Sequence, residues 1–373
     1  MSYLLTFVIS FLACAAFLPI VLKFAHANGW YDSTGGRKIH SGNVPRLGGV
    51  GMVLAFFVTA LLVYAVYNSL GKLPSPGLRF WLLMAIGFGF HLLGLADDFM
   101  DLRGRLKFVI QILLGLAVIA LGYGFTVIEL PFPPFELKLG LLGPVLTLLW
   151  IVGLCNAMNL IDGLDGLAGG VAFIGCAVWA VLFYMQAQYL PAIVATAAGG
   201  AILGFLFFNF PPAGIFMGDS GSLFLGFILA VLPLLGSART QGETGLLQAI
   251  TISLVPLLDT LAAILRRWRH GVSFFTGDRF HIHHKLLNLG FSIRQVLVIV
   301  YGLCMILGAA VLLTIYTGEA LGFAFMILSW ALVGGFFLVL HYLKENKVRL
   351  IRRGEVPEEG APRRDAFNKE PEE

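Results

Sequence analysis

The sequence predicts an all-α, polytopic integral membrane protein with about eleven transmembrane helices. Three observations carry that reading. Of 373 residues, 58% are hydrophobic and only 12% are charged, against about 25% charged in a soluble globular chain. Mean hydropathy is +0.87. Apolar runs of about 20 residues recur along the chain, and that is the length a helix needs to cross the hydrocarbon core. An outer-membrane barrel would show short alternating segments instead.

The expected spans lie at about 3–24, 47–68, 79–96, 107–128, 142–158, 167–187, 190–208, 221–237, 246–265, 293–316 and 319–342. The first has no basic segment before it, so it reads as a retained span rather than a signal peptide. Residues 129–140 contain three prolines and are too Pro-rich for a helix; they predict a short extended segment or hairpin. Cys14, Cys155, Cys176 and Cys304 all lie in apolar runs without ligand or framework spacing and read as buried small side chains. Residues 1–342 form one transmembrane domain. Residues 343–373 form a charged tail, expected to extend the last helix briefly and then to lack order.

An odd number of spans puts the two ends on opposite sides. On one side the loops carry only Lys72, Arg79, Lys138 and Arg239, so the other side holds 21 of the 25 Lys and Arg residues. The positive-inside rule makes that second side cytoplasmic, with the N-terminus outside and the C-terminus inside.

The inner loops hold nearly all the unusual polar residues. The first runs Gly35-Gly36-Arg37-Lys38-Ile39-His40 and on to Gly48-Gly49, with Lys38 inside a Gly- and Pro-punctuated turn. The third opens with Asp97-Asp98-Phe99-Met100-Asp101. Adjacent aspartates at the mouth of a span are costly unless a cation or a base offsets them. On a helix Asp97 and Asp101 would share a face and Asp98 would point elsewhere. The fifth places Asn156, Asn159, Asp162 and Asp165 at every third position, with glycines that allow close backbone approach to a ligand. The seventh runs from Asn209-Phe210-Pro211-Pro212 to Phe216-Met217-Gly218-Asp219-Ser220-Gly221. Asp219 there reads either as a helix N-cap or as a carboxylate on Mg²⁺. Phe216 is placed to stack on a planar base.

The ninth loop holds Asp278-Arg279-Phe280-His281-Ile282-His283-His284-Lys285. Such a cluster can donate several hydrogen bonds to a phosphate or diphosphate, or ligate a metal. No carboxylate adjoins the histidines at helical spacing, and His-Glu-x-x-His is absent, which disfavours an intramembrane zinc hydrolase. A multipass transporter of an anionic substrate should carry polar residues at mid-span, whereas here they gather at one face. Carboxylates, amides, bases and imidazoles on one membrane face suit transfer of a phosphate-containing group from a soluble donor to a lipid. Gly-x-x-x-x-Gly-Lys-Ser/Thr is also absent, so a nucleotide-diphosphate donor fits better than ATP.

With these motifs in order over residues 28–300, the chain resembles the polyprenyl-phosphate N-acetylhexosamine-1-phosphate transferases. Asp97-Asp98-x-x-Asp101, Asn156-x-x-Asn159-x-x-Asp162-Gly-x-Asp165-Gly, Asn209 through Asp219-Ser-Gly, and His281-x-His283-His284 match the family's four motifs. Asp101, where the peptidoglycan branch carries Lys, and the His-x-His-His form favour the branch that starts O-antigen, common antigen or teichoic acid linkage over the phospho-MurNAc-pentapeptide transferases. The resemblance implies transfer of a sugar-1-phosphate from a UDP-N-acetylhexosamine, UDP-GlcNAc in first place, to undecaprenyl phosphate with release of UMP. It implies Mg²⁺, with Mn²⁺ as a substitute, held by Asp219 with Asp97 and Asp98. Asp97 or Asp98 is the family's usual candidate base. Asp162, Asp165, Asn209 and Phe216 would lie near the nucleotide, with Asn156, Asn159, Asp101 and Lys38 in substrate binding. Arg279, His281, His283 and His284 would meet the diphosphate or sugar. The bacterial inner membrane is the expected location, a homodimer is compatible with the reading, and no nucleic-acid partner is expected.

Overall fold

A computed structural model describes residues 2–31, 44–69, 76–131, 134–237, 245–273 and 280–352. Lys38 and Arg279, both expected in the site, lie outside the described residues, as does the tail beyond residue 352. The described helices are α1 (Ser2–Asn28), α2 (Gly48–Ser69), α3 (Leu78–Met100), α4 (Gly104–Ala120), α5 (Leu142–Ile161), α6 (Leu167–Met185) and α7 (Tyr189–Asn209). They continue with α8 (Gly218–Ser237), α9 (Gly245–Ile252), α10 (Leu254–Arg269), α11 (Ile282–Asn288), α12 (Ile293–Thr317) and α13 (Glu319–Arg352). Strands β1 (Val127–Pro131) and β2 (Pro134–Lys138) pair antiparallel from Val127↔Lys138 to Pro131↔Pro134, so the Pro-rich stretch is a hairpin as expected.

Every expected span falls on a helix, and nine described helices are long and apolar enough to cross a membrane. Two spans differ from expectation. The fourth, expected over 107–128, is helical only to Ala120, because Gly122 takes φ +88° and turns the chain toward the hairpin. The ninth, expected as one helix over 246–265, is α9 and α10 joined at Ser253 with a bend of 74°. Pro256 accounts for the break. It has no N–H to give the Ile252 carbonyl, and its ring would crowd that carbonyl in a continuous helix.

The bundle is built around α8, whose apolar stretch is almost wholly buried. It packs on α2, α3, α5 and α6, while α1 and α7 pack together outside them and α12 lies between α6 and α13. Burial of apolar surface cannot by itself drive these contacts in lipid, so close packing of small residues carries much of the association. At the α2–α8 crossing, a Cβ on Gly49 would stand 2.3 Å from the Gly221 nitrogen. At the α3–α8 crossing, a Cβ on Gly94 would stand 2.2 Å from the Asp219 carbonyl oxygen. Both crossings lie one turn or less from the aspartates, so the tight packing also sets how near the carboxylates come to one another.

Candidate active site at the polar end of the bundle

The C-terminal ends of α3, α5 and α7 meet the N-terminal ends of α2, α4, α6 and α8 at one end of the bundle. Backbone pairing fixes this end first. The Phe216 N–H donates to the Pro45 carbonyl at 2.8 Å, and the Gly48 and Gly49 N–H groups donate to Phe216 and Met217 carbonyls at 2.9 Å each. Those two donors are orphans of the first turn of α2, so the segment before α8 caps α2. Gly218 then takes φ +73°, and an added Cβ would meet both the Arg46 carbonyl and the Asp98 carboxylate at 2.5 Å.

Asp97 and Asp98 diverge. Asp98 Oδ1 accepts from the Asp219 N–H at 2.8 Å and Oδ2 from the Ser220 N–H at 3.0 Å, so its carboxylate sits on the N-terminus of α8. Asp97 Oδ1 accepts from the Leu102 N–H at 3.0 Å, and its Oδ2 accepts from the Lys107 ammonium at 2.9 Å. The same ammonium donates to Asp219 Oδ2 at 2.6 Å. Arg46 completes the ring of charges, 3.8 Å from Asp98 Oδ1 and 4.0 Å from Asp219 Oδ1. Asp101 does not share a helical face with Asp97 as the spacing suggested. The helix ends at Met100, and Asp101 takes a left-handed conformation (φ 47°), donates its N–H to the Asp97 carbonyl and is exposed.

The fifth loop closes the opposite side. Asn159 donates to Ser222 Oγ at 2.9 Å, and Asn156 donates to the Val152 carbonyl and to Gln111 of α4. Asn209 holds the loop by accepting from the Gly166 N–H and donating to the Ile215 carbonyl, both at 2.8 Å. Asp165, buried, accepts from the Ala213 N–H at 3.0 Å. Asn209 and Asp165 thus tie the fifth loop to the seventh. Asp162 ends α5, and burial together with the negative charge of Asp219 pushes its carboxyl up to about 8. A carboxyl so displaced marks a place short of positive charge.

The histidines reach the same loop. A Cβ on Gly163 would meet His283 Nε2 at 2.5 Å, so the buried His283 ring lies directly on the Asp162-Gly163 turn. His283 stacks on His281 with centroids 5.9 Å apart, and His284 lies 4.2 Å from His283. Neither ring nitrogen of His283 has a hydrogen-bond partner among the described residues, and burial brings its pKa down to about 3. No carboxylate adjoins the histidines at helical spacing in the sequence, but another helix supplies one. Asp259 of α10 lies 2.8 Å from His281 Nδ1 and also accepts from the Ile282 N–H at 2.7 Å. The pairing comes from another helix, so spacing within the loop could not show it.

Lys107, Arg46 and Asp259 were not among the expected site residues. A signal existed for one of them. Asp259 is a single charge within an apolar stretch, and an ionisable residue there is a functional candidate by default, whereas Lys107 ends a basic run after Arg103 and Arg105. Among the described residues, no three His, Cys, Asp or Glu side chains group closely enough to cage a metal. Mg²⁺ takes one or two carboxylates and completes its shell with water and substrate phosphate, and the facing Oδ2 atoms of Asp97 and Asp219 fit that need. An apolar cavity of about 170 Å³ lined by Phe57, Tyr64, Phe80 and Trp81 lies toward the opposite end, with no charged lining.

Comparison with known proteins identifies the family. The sequence profile of glycosyl transferase family 4 matches residues 80–237, from α3 through α8. A Bacillus subtilis (strain 168) protein named "Probable undecaprenyl-phosphate N-acetylglucosaminyl 1-phosphate transferase" is 35% identical over 79% of this chain and 80% of its own. The Yersinia pestis undecaprenyl-phosphate alpha-N-acetylglucosaminyl 1-phosphate transferase is 33% identical over 92% and 91%. A Mycobacterium tuberculosis decaprenyl-phosphate N-acetylglucosaminephosphotransferase is 33% identical over 71% and 70%. The chain therefore belongs to glycosyl transferase family 4, among the undecaprenyl-phosphate N-acetylglucosaminyl 1-phosphate transferases.

Proposed function

We propose that the protein transfers N-acetylglucosamine-1-phosphate from UDP-GlcNAc to undecaprenyl phosphate, releasing UMP, at the cytoplasmic face of a bacterial inner membrane. The observation that carries the reading is the ring of Asp97, Lys107, Asp219, Asp98 and Arg46 at one end of an otherwise apolar bundle. The relatives' names support the sugar and the acceptor.

The reaction forms a P–O bond from an oxygen of the acceptor phosphate to the sugar-bearing phosphorus of the donor. The bridging P–O bond breaks, and its electron pair leaves with UMP. At neutral pH the acceptor phosphate is already largely ionised, so no base is required for attack. The geometry of Asp98 favours this direct route over a covalent aspartyl intermediate there, since both of its oxygens accept backbone N–H groups. Asp219 and Asp97 are the candidate ligands for Mg²⁺, with Asp98 shaping the position of Asp219. Held there, Mg²⁺ would neutralise diphosphate charge and activate the bridging bond. Lys107 and Arg46 supply positive charge beside the phosphates. His281, held by Asp259, and His284 flank His283, which lies on the Asp162-Gly163 turn, and the cluster suits the diphosphate or sugar.

The test follows UMP release by purified protein in detergent with undecaprenyl phosphate and Mg²⁺, offering UDP-GlcNAc, UDP-GalNAc and UDP-MurNAc-pentapeptide separately. UMP from UDP-GlcNAc is expected. UMP only from the pentapeptide donor would overturn the substrate assignment, and UMP from none of them would overturn the reaction.

A further inference from the structure

The Lys107 ammonium lies where a cation between Asp97 and Asp219 would lie. It is 2.9 Å from Asp97 Oδ2 and 2.6 Å from Asp219 Oδ2, and the three side chains are 14–17% exposed. The partners are held in place independently of it. The Leu102 N–H fixes the other oxygen of Asp97, and Asp98 fixes the Asp219 backbone. Two largely buried carboxylates facing one point need positive charge between them. Lysine meets that need as a compact point charge on a flexible four-carbon stem, unlike the planar fork of arginine. Lys107 stands on the first turn of α4, while Asp219 stands at the start of α8. Its stem can therefore swing without moving either carboxylate.

We propose that Lys107 is a resident counter-ion, which the divalent cation displaces from the Asp97–Asp219 pair and which then turns to a phosphate oxygen of the substrate. The inference rests on Asp219 and Asp97 being the Mg²⁺ ligands. It adds a coupling that the ligand set alone does not contain. In the substrate-free protein the cation competes with an internal ammonium and binds weakly. When a diphosphate is present, the released ammonium gains a new anionic partner, so metal and diphosphate favour each other's binding. The half-exposed Arg46, at 3.8 and 4.0 Å, stays as the second positive charge of the ring throughout.

The test titrates Mn²⁺ into the substrate-free protein and follows free Mn²⁺ by electron paramagnetic resonance. Wild type, Lys107→Gln, Lys107→Arg and Asp219→Asn are compared. Lys107→Gln is expected to bind Mn²⁺ about ten-fold more tightly than wild type, the size of a typical coupling between two sites. Lys107→Arg, which keeps the charge balance and so guards against loss of folding, is expected to bind no more tightly than wild type. Asp219→Asn is expected to abolish the site. Equal affinity in wild type and Lys107→Gln, with the site lost in Asp219→Asn, overturns the displacement and leaves the metal site standing. So does tighter binding by Lys107→Arg. Unchanged Mn²⁺ binding in Asp219→Asn overturns the metal ligands themselves, and the displacement with them.

Discussion

Asp97 and Asp98 are chain neighbours with separate tasks. One faces an ammonium across the mouth of the site, and the other grips the first backbone amides of α8. The histidines divide in the same way. His281 is oriented by Asp259, whereas His283 is enclosed against Gly163 and kept neutral by burial and by the neighbouring His284. That neutrality has a measurable cost in acid. Free imidazole titrates near 6.5, and His283 in the folded chain near 3. Above 6.5 its contribution to stability is complete. As pH falls from 6.5 toward 3, the unfolded chain takes up a proton that the folded chain refuses, and stability declines by up to about 1.4 kcal/mol per pH unit. Thermal unfolding in detergent between about pH 7 and pH 5 should therefore show a shallower acid decline in His283→Gln than in wild type. Parallel declines would mean that the ring is charged, or free to charge, in the folded protein.

At the scale of elements, the α3–α8 crossing decides whether the carboxylates meet. Gly94, Asp98 and His91 lie on one face of α3. His91 Nδ1 is 3.0 Å from the Ser220 carbonyl, and Asp98 takes the two amides beside it. Adding a methyl group at Gly94 would place it against backbone, which cannot give way as the tip of a side chain can. Gly94→Ala should lower stability by about 1–3 kcal/mol, the usual cost of overpacking a well-filled interior. It should also cut turnover more than its loss of folded protein explains, because α8 carries Asp219 away from Asp97. The readout is specific activity per folded molecule, set beside a melting curve. Full specific activity would show that the site tolerates a wider crossing. The bend between α9 and α10 has a comparable role. It turns Asp259 toward the histidine loop, and its cause, Pro256, was visible in the sequence although the direction of the bend was not.

At the scale of the whole molecule, the polar end must face the compartment that holds the soluble donor. The positive-inside rule predicts that this end faces the cytoplasm, and the buried native cysteines make the point easy to test. Arg103 is exposed beside the aspartates, and Leu141 is 92% exposed beyond the hairpin. Arg103→Cys should react with a membrane-impermeant maleimide only after the cells are opened, and Leu141→Cys in intact cells. The reverse pattern would invert the molecule and place the site away from cytoplasmic nucleotide sugars. By itself the sequence determined the helical membrane class, the location of the helices, the hairpin and the loops where polar side chains gather. Length, apolar run and proline content are local properties of the chain. Only the tertiary structure decided that α4 stops short, that Asp98 caps α8, that Lys107 bridges Asp97 and Asp219, and that Asp259 pairs with His281. Each of those depends on contacts between residues 10 to 122 positions apart in the chain or on a turn set by packing. Periodicity and spacing describe one helix at a time, whereas a buried charge takes its partner from whichever helix the packing brings beside it.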